Sequence, residues 1–177
     1  MTSRLLVDKI EGKSTANTVQ MPSGSIVQVV SETYTKSGHA TTFGSASFTD
    51  SVSITFTPKF NNSLIKHTFF AKTQLSNQDY NKAHDCRWLR DSTVVSGQSW
   101  TNYFNRVDFS ADYYPVIICH FTDEPNTTNA VVYKFQGKAY GATTNGSWQC
   151  FYPNRNDGDA STFGSHGGQW TIEEIAQ

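Results

Sequence analysis

The stretch that most restricts the fold runs from Tyr114 to Tyr140. Val116, Ile117, Ile118, Cys119 and Phe121 form an apolar run, rich in β-branched and aromatic residues, that follows a proline. It is far too short to cross a bilayer, and it reads as a buried strand. After a polar break, Val131, Tyr133 and Phe135 alternate with Val132, Lys134 and Gln136. That period of two is the pattern of a strand with one buried face. Between the two runs lies Thr122-Asp-Glu-Pro-Asn-Thr-Thr-Asn129. Pro125 removes a backbone donor and fixes its own φ, while the Asn, Asp and Thr side chains bond locally to the backbone. The expectation is two neighbouring antiparallel strands joined by a polar connection, with the rest of the chain packed around them.

The same alternation recurs elsewhere. Ile26 to Thr35 is strand-like in composition, and Val52, Ile54 and Phe56 alternate with Ser53, Thr55 and Thr57. Pro58 and Asn61-Asn62-Ser63 then turn the chain into Leu64 to Ala71, which reads as a hairpin-like pair with Val52–Phe56. His84 to Asp91 is a strand of mixed polarity, and Thr93-Val94-Val95 extends it beyond a turn. Ser147 to Tyr152 is a short strand. Trp170, Ile172 and, after a slip, Ile175 suggest a closing one. Polar connections fall at Lys36–Gly44, Thr73–Ala83, Gly97–Ser110 and Asn154–Gly168. No heptad, solenoid period or sustained amphipathic helix appears. Short strands separated by turn signals predict an all-β chain, a β-sandwich or jelly-roll-like head over residues 25–177.

Met1 to Gly24 is patterned differently from the strands. Leu5, Leu6, Val7 and Ile10 make one small apolar cluster in an otherwise weakly patterned segment that ends on Met21-Pro-Ser-Gly24. A patch of this size cannot bury itself. The segment reads as a short extended arm that docks on its own domain, a sister subunit or another protein.

Composition then narrows the functions. With 177 residues the chain fits one domain with a substantial core. Charged residues make up 16%, against about 25% in ordinary domains, and Ser, Thr and Asn fill the deficit. A net charge of −1 gives no electrostatic footprint for nucleic acid or an anionic membrane surface. No apolar segment approaches the roughly 20 residues of a membrane-spanning helix, and Asp8 and Lys9 interrupt any signal-peptide core. The reading is a soluble chain made in the cytosol.

Motifs for chemistry are weak. Cys86, Cys119 and Cys150 stand far apart with no Cys-x-x-Cys spacing, and Cys119 reads as a small core residue. His84-Asp85-Cys86 offers the residue types of a nucleophilic triad, but neighbours on a strand point to opposite faces. His39, His67, His84, His120 and His166 include no pair at metal-ligand spacing. His67 and His120 read as satisfied sheet residues. Asn154 to Asp159 matches a calcium loop only in part: its glycine comes early, and no glutamate follows until Glu173. No Lys-Ser/Thr follows the glycines at 167 and 168, so no phosphate cradle is indicated. No cofactor, metal ligand or catalytic residue is assigned. Binding is the better reading. Tyr80, Trp100, Tyr103 and Tyr152, with Arg155, stand in polar stretches and are the candidate recognition residues, since rigid aromatic faces stack on a sugar or protein partner at low entropy cost.

Several phrases in order carry a resemblance: Leu5-Leu-Val-Asp-Lys-Ile-Glu-Gly12, Met21-Pro-Ser-Gly-Ser-Ile-Val-Gln-Val-Val30, Val52-Ser-Ile-Thr-Phe-Thr-Pro-Lys59, Arg90-Asp-Ser-Thr93, Asp123-Glu-Pro-Asn-Thr127 with Tyr133-Lys-Phe-Gln-Gly137, and Ile172-Glu-Glu-Ile-Ala176. Together they resemble tail-fibre-like virion structural proteins of tailed bacteriophages, particularly those of marine and cyanobacterial hosts. The resemblance implies a β-sandwich head, a homotrimer, an N-terminal segment that attaches the module to other virion proteins, and recognition of a host glycan or protein by loops. It implies a place on the tail or capsid surface after synthesis in the host cytoplasm. Met1–Gly24 leads directly into the head without a shaft, so a capsid decoration (cement) protein is the runner-up. A glycan-degrading virion enzyme, with carboxylates such as Asp79, Asp112, Asp157 and Asp159, is the alternative from another class.

Overall fold

The computed structural model describes residues 22–44, 47–76, 83–100, 116–140, 147–151 and 166–177. Ten strands and one short helix come in order: β1 Ile26–Thr35, α1 Lys36–His39, β2 Thr41–Phe43, β3 Thr49–Phe56, β4 Leu64–Ser76 and β5 Ala83–Arg90. Then come β6 Thr93–Trp100, β7 Val116–Asp123, β8 Val131–Tyr140, β9 Ser147–Cys150 and β10 His166–Ile175. The all-β expectation holds. The strands form two antiparallel sheets, one ordered β1-β10-β4-β9-β2 with β7 also on β4, the other β3-β8-β5-β6.

The pairing has a simple logic. β5 pairs β6, β4 pairs β7, β3 pairs β8 and β1 pairs β10, nested like the two arms of one long hairpin. Folding that hairpin over on itself adds the contacts β10 to β4 and β8 to β5. Eight strands in this order, four to a sheet, are the jelly roll. β2 and β9 extend the first sheet past its end, with β9 taking up Thr73–Ser76 of β4.

Two expected neighbours separate. β7 and β8 do not pair; they lie in opposite sheets, and residues 124–130 carry the chain across the sandwich. Likewise β3 and β4 are not a hairpin, and residues 57–63 make a second crossing. The reason is burial. Both faces of these strands are specified by their alternation, and two sheets closing on one core hide more apolar surface than one flat ribbon. Among the described residues only β5 and β6 form a tight hairpin, through Asp91 in the left-handed region (φ 54). Boundaries also move. Thr73–Ser76 belongs to β4, Gly97–Trp100 to β6 and His166–Gly168 to β10, all assigned to connections by sequence. The Lys36–Gly44 connection contains α1 and β2.

The core lies between the sheets. Trp88, Trp170, Tyr133, Phe56, Phe69, Phe135 and Phe151 are fully buried there, with Phe69 stacked on Phe135 at 4.6 Å and edge-on to Trp170 and Trp88. Such aromatic pairs add to the area they hide. Phe151 fits only because residues 167 and 168 are glycines. A Cβ at Gly167 would overlap the backbone of Phe151, and one at Gly168 its ring. The expected slip before Ile175 does not occur. β10 keeps strict alternation, and the inward position falls to Glu174, which is fully buried.

Candidate assembly and recognition surfaces

Every strand of the eight runs between the same two ends. At one end the connections are short: residues 57–63, the Asp91–Ser92 turn and 124–130. β1 begins there and β10 finishes there. At the other end the segments between these eight strands are 36–48, 101–115 and 141–165, all longer, and 77–82, which is as short as the crossings.

The short-connection end is fastened by buried polar groups. Glu174 on β10 accepts hydrogen bonds on Oε1 from the Lys59 amide (2.8 Å), the Phe60 amide (3.0 Å) and the Ser63 hydroxyl (2.5 Å). Its Oε2 accepts from Gln28 Nε2 at 2.6 Å, and the same amide group donates to the Thr57 carbonyl. One carboxylate thereby holds the β3–β4 crossing against β10 and β1. Beside it, Arg90 on β5 donates to both oxygens of Asp123 on β7 at 2.7 Å, and the Tyr133 hydroxyl on β8 donates to Asp123 Oδ2 at 2.8 Å. Burial, helped by the neighbouring Asp123, pushes the Tyr133 phenol well above its ordinary value. Asp91 exchanges two bonds with Val132, its amide donating to the carbonyl and its Oδ1 accepting the amide. Charge-assisted bonds of this kind join the two sheets and are the stronger class. Both oxygens of Glu174 and both of Asp123 accept hydrogen bonds, and the cluster acts as a clasp.

His67 and the cysteines sit deeper. Trp170 Nε1–H donates to His67 Nδ1 at 3.2 Å, and the imidazole stacks on Phe121 at 4.3 Å and meets Tyr133 edge-on. Burial drives its pKa down to about 3, so the ring is neutral at ordinary pH. The expected satisfaction is partial, because Nε2 has no hydrogen-bond partner among the described residues. His120 lies on the outer face, with Nδ1 3.3 Å from Thr68 Oγ1. All three cysteines are buried and none is disulfide-bonded. Burial raises the Cys119 thiol, opposed in part by a hydrogen bond with Ser96, and raises Cys150 further. Cys119 is a core residue, as its setting in the sequence implies. In His84-Asp85-Cys86, Cys86 points into the core while Asp85 lies on the other face, 3.1 Å from Lys138. Among the described residues no three His, Cys, Asp or Glu side chains converge on a metal-sized site.

Of the candidate recognition residues, Trp100 is the last residue of β6, opposite His84, at the long-connection end. Tyr80, Tyr103, Tyr152 and Arg155 lie outside the described residues, as do the arm residues Leu5, Leu6, Val7 and Ile10 and the calcium-like stretch. Their attachment points are described nonetheless. β4 ends and β5 begins at that end, β6 ends and β7 begins there, and β10 begins there, while β9 starts there and runs back along β4. The arm joins β1 at the opposite end, where Gly24 donates to the Ala176 carbonyl at 2.8 Å and Ala176 to the Ser25 carbonyl at 2.9 Å.

The run Val116–Phe121, expected from sequence to be a buried strand, buries only one side: Ile117 and Cys119 face the core while Val116 and Ile118 face outward and are exposed. On the first sheet, Ile118 and Val116 of β7 stand beside Phe70 and Lys72 of β4, with Gln169 and Thr33 continuing the row. A shallow hollow is lined by Thr33, Phe70, Gly168 and Gln169. On the second sheet, the Arg87 guanidinium covers the Phe48 ring at 4.0 Å, with the Lys138 ammonium at 4.9 Å. Arg87 also donates to Gln136, which donates to Asp50. The signal for the first face was present: the odd places of an alternating strand should be polar, and in β7 they begin Val, Ile.

No protein-family model and no curated protein sequence matches the chain. Solved structures of similar shape include infectious bursal virus T=1 particles (10% identity, TM-score 0.49, 94% of this chain and 36% of that one). The VP2 subviral particle of infectious bursal disease virus is comparable (10%, 0.49, 96% and 38%), as is PorU of Porphyromonas gingivalis (7%, 0.48, 95% and 14%). The chain thus spans little more than a third of the viral proteins' length and a seventh of PorU. The jelly-roll assignment rests on strand order and owes nothing to these likenesses.

Proposed function

We propose that this chain is a non-enzymatic structural module of a phage virion, of the tail-fibre type. In this reading it is a homotrimer, attached to other virion proteins through residues 1–24 and presenting its far end to a host surface glycan or protein. The observation that carries the reading is the polarity of the sandwich. The arm joins at the clasped end, while Trp100 and the strand ends flanking Tyr80, Tyr103, Tyr152 and Arg155 lie at the other. A module that must hold a particle and touch a surface needs its two contacts at opposite ends. The ordered motifs of the sequence add support. Recognition would be multivalent, three weak sites on one rigid assembly gaining avidity together.

Removal of residues 1–24 tests the reading. The head is expected to fold and to bind host cells when isolated, and to be missing from assembled particles. Normal incorporation of the armless chain would remove the attachment role.

A capsid decoration protein is the second reading. The outward apolar residues Val116 and Ile118 favour it, since permanent protein contacts bury such groups. Copy number separates the two: hundreds of chains per particle for cement, far fewer for an appendage. Substitution of Asp79, Asp112, Asp157 and Asp159, which lie outside the described residues, addresses the glycan-degrading alternative. Glycan cleavage lost on substitution would replace the binding function with an enzyme.

A further inference from the structure

Five large hydrophobic side chains are exposed among the described residues: Ile26 (53%), Val29 (54%), Val94 (51%), Val116 (40%) and Ile118 (52%). Four of them lie on β1 and β7, the strands at opposite edges of the β1-β10-β4-β7 layer. Natural edge strands are guarded by lysine, proline or bulges. β7 contains no lysine, proline or bulge. Its pairing with β4 runs unbroken from Val116 to Asp123, and its one acid, Asp123, is used by Arg90. β1 also lacks lysine and proline, carries Glu32 as its single charged residue, and is regular from Gln28 to Tyr34 between two irregular ends. Each of β1 and β7 has one strand neighbour among the described residues.

We infer that β7 of one copy pairs with β1 of a second copy, and that this heterologous contact closes the trimer. The closure at three rests on the trimer proposed above; the pairing of edges does not. An isologous dimer needs one sticky edge, whereas matched apolar edges on opposite sides of a subunit generate rings or filaments. Direction also fits. β1 leaves the clasped end and β7 returns to it, so copies turned about an axis along the strands place β7 antiparallel to the next β1. Antiparallel is the arrangement every neighbouring pair in this sheet already uses. Size is sufficient. An edge of eight residues is about 26 Å long, and a sandwich edge about 20 Å deep, giving about 500 Å² per copy. The total of about 1,000 Å² per contact is at the threshold of a specific interface. In a closed ring each copy makes two such contacts. The near absence of charge on both strands matches the charge-poor centre of an interface.

Full-length Val29→Lys and Ile118→Lys chains test this by native mass and light scattering. Both positions face solvent, so both variants are expected to fold with unchanged melting. The wild-type chain is expected at three subunits and each variant at one, a threefold drop in mass. Mixing the variants is the decisive step. The intact β7 of the Val29→Lys chain still fits the intact β1 of the Ile118→Lys chain, giving a one-to-one heterodimer. Trimers that survive both substitutions would overturn the edge contact while leaving the trimer itself standing. A Val29→Lys chain that self-associates, with no heterodimer on mixing, would show an isologous β7 contact and also overturn it. A monomeric wild-type chain would remove both the contact and the trimer.

Discussion

The two ends of this sandwich are built on different terms. At the clasped end, short crossings are held by a buried carboxylate and a cross-sheet ion pair. At the other end the strands open into long stretches rich in Ser, Asn, Gly and aromatics. The crossings are tied down at a few buried points, Pro58 and Ser63 among them, while most of their residues, all of 124–130 included, are at least partly exposed. The buried fastening lies at one pole, and the strand ends that flank the proposed recognition residues lie at the other.

That contrast breaks first at Glu174. Glu174→Ala strips four donors from Gln28, Lys59, Phe60 and Ser63 of their acceptor, and is expected to lower unfolding free energy by about 3–5 kcal/mol in urea titrations. A loss under about 1 kcal/mol would mean that the clasp is ornamental. Next comes acid. His67 titrates near 3 in the folded chain and near 6.5 when unfolded, so between those values the unfolded state binds the extra proton. Stability should fall as pH drops below 6.5, by roughly 3 kcal/mol at pH 4. His67→Phe should flatten that part of the profile, and an unchanged slope would place the acid sensitivity elsewhere.

Asp123→Asn leaves Arg90 short of its carboxylate and should cost about 2–3 kcal/mol, with a faster unfolding rate as the sheets part. The smallest effect on folding belongs to the other pole. Trp100→Ala with Tyr103→Ala should change stability by no more than about 0.5 kcal/mol while reducing adsorption of particles to host cells. A large melting shift with intact adsorption would make those aromatics structural and end the contrast between the poles.

The period of two in Val52–Phe56 and Val131–Gln136 was enough to name strands, since alternation is a local consequence of where successive Cβ atoms point. It also named most of the core: Ile54, Phe56, Cys119, Tyr133 and Phe135 are buried as their places imply. The site was less legible. Trp100 could be singled out as an aromatic in polar company, but nothing local says that its strand end shares a pole with those flanking residues 77–82 and 141–165. Glu174 was hidden for the same reason. A carboxylate at an inward position looks like a break in the pattern until Lys59, Phe60 and Ser63, over a hundred residues away, supply its donors.

By itself the sequence determined that the chain is made of strands and, where alternation is clean as in Val52–Phe56 and Val131–Gln136, which side is apolar. Only the tertiary structure decided which strands are neighbours. β7 and β8 are separated by seven residues and sit in opposite sheets, while β1 and β10, at the two ends of the described chain, lie side by side. Alternation is set within a strand by backbone geometry, but pairing is set by which closure buries the shared face of all eight strands at once. That condition has no local signature.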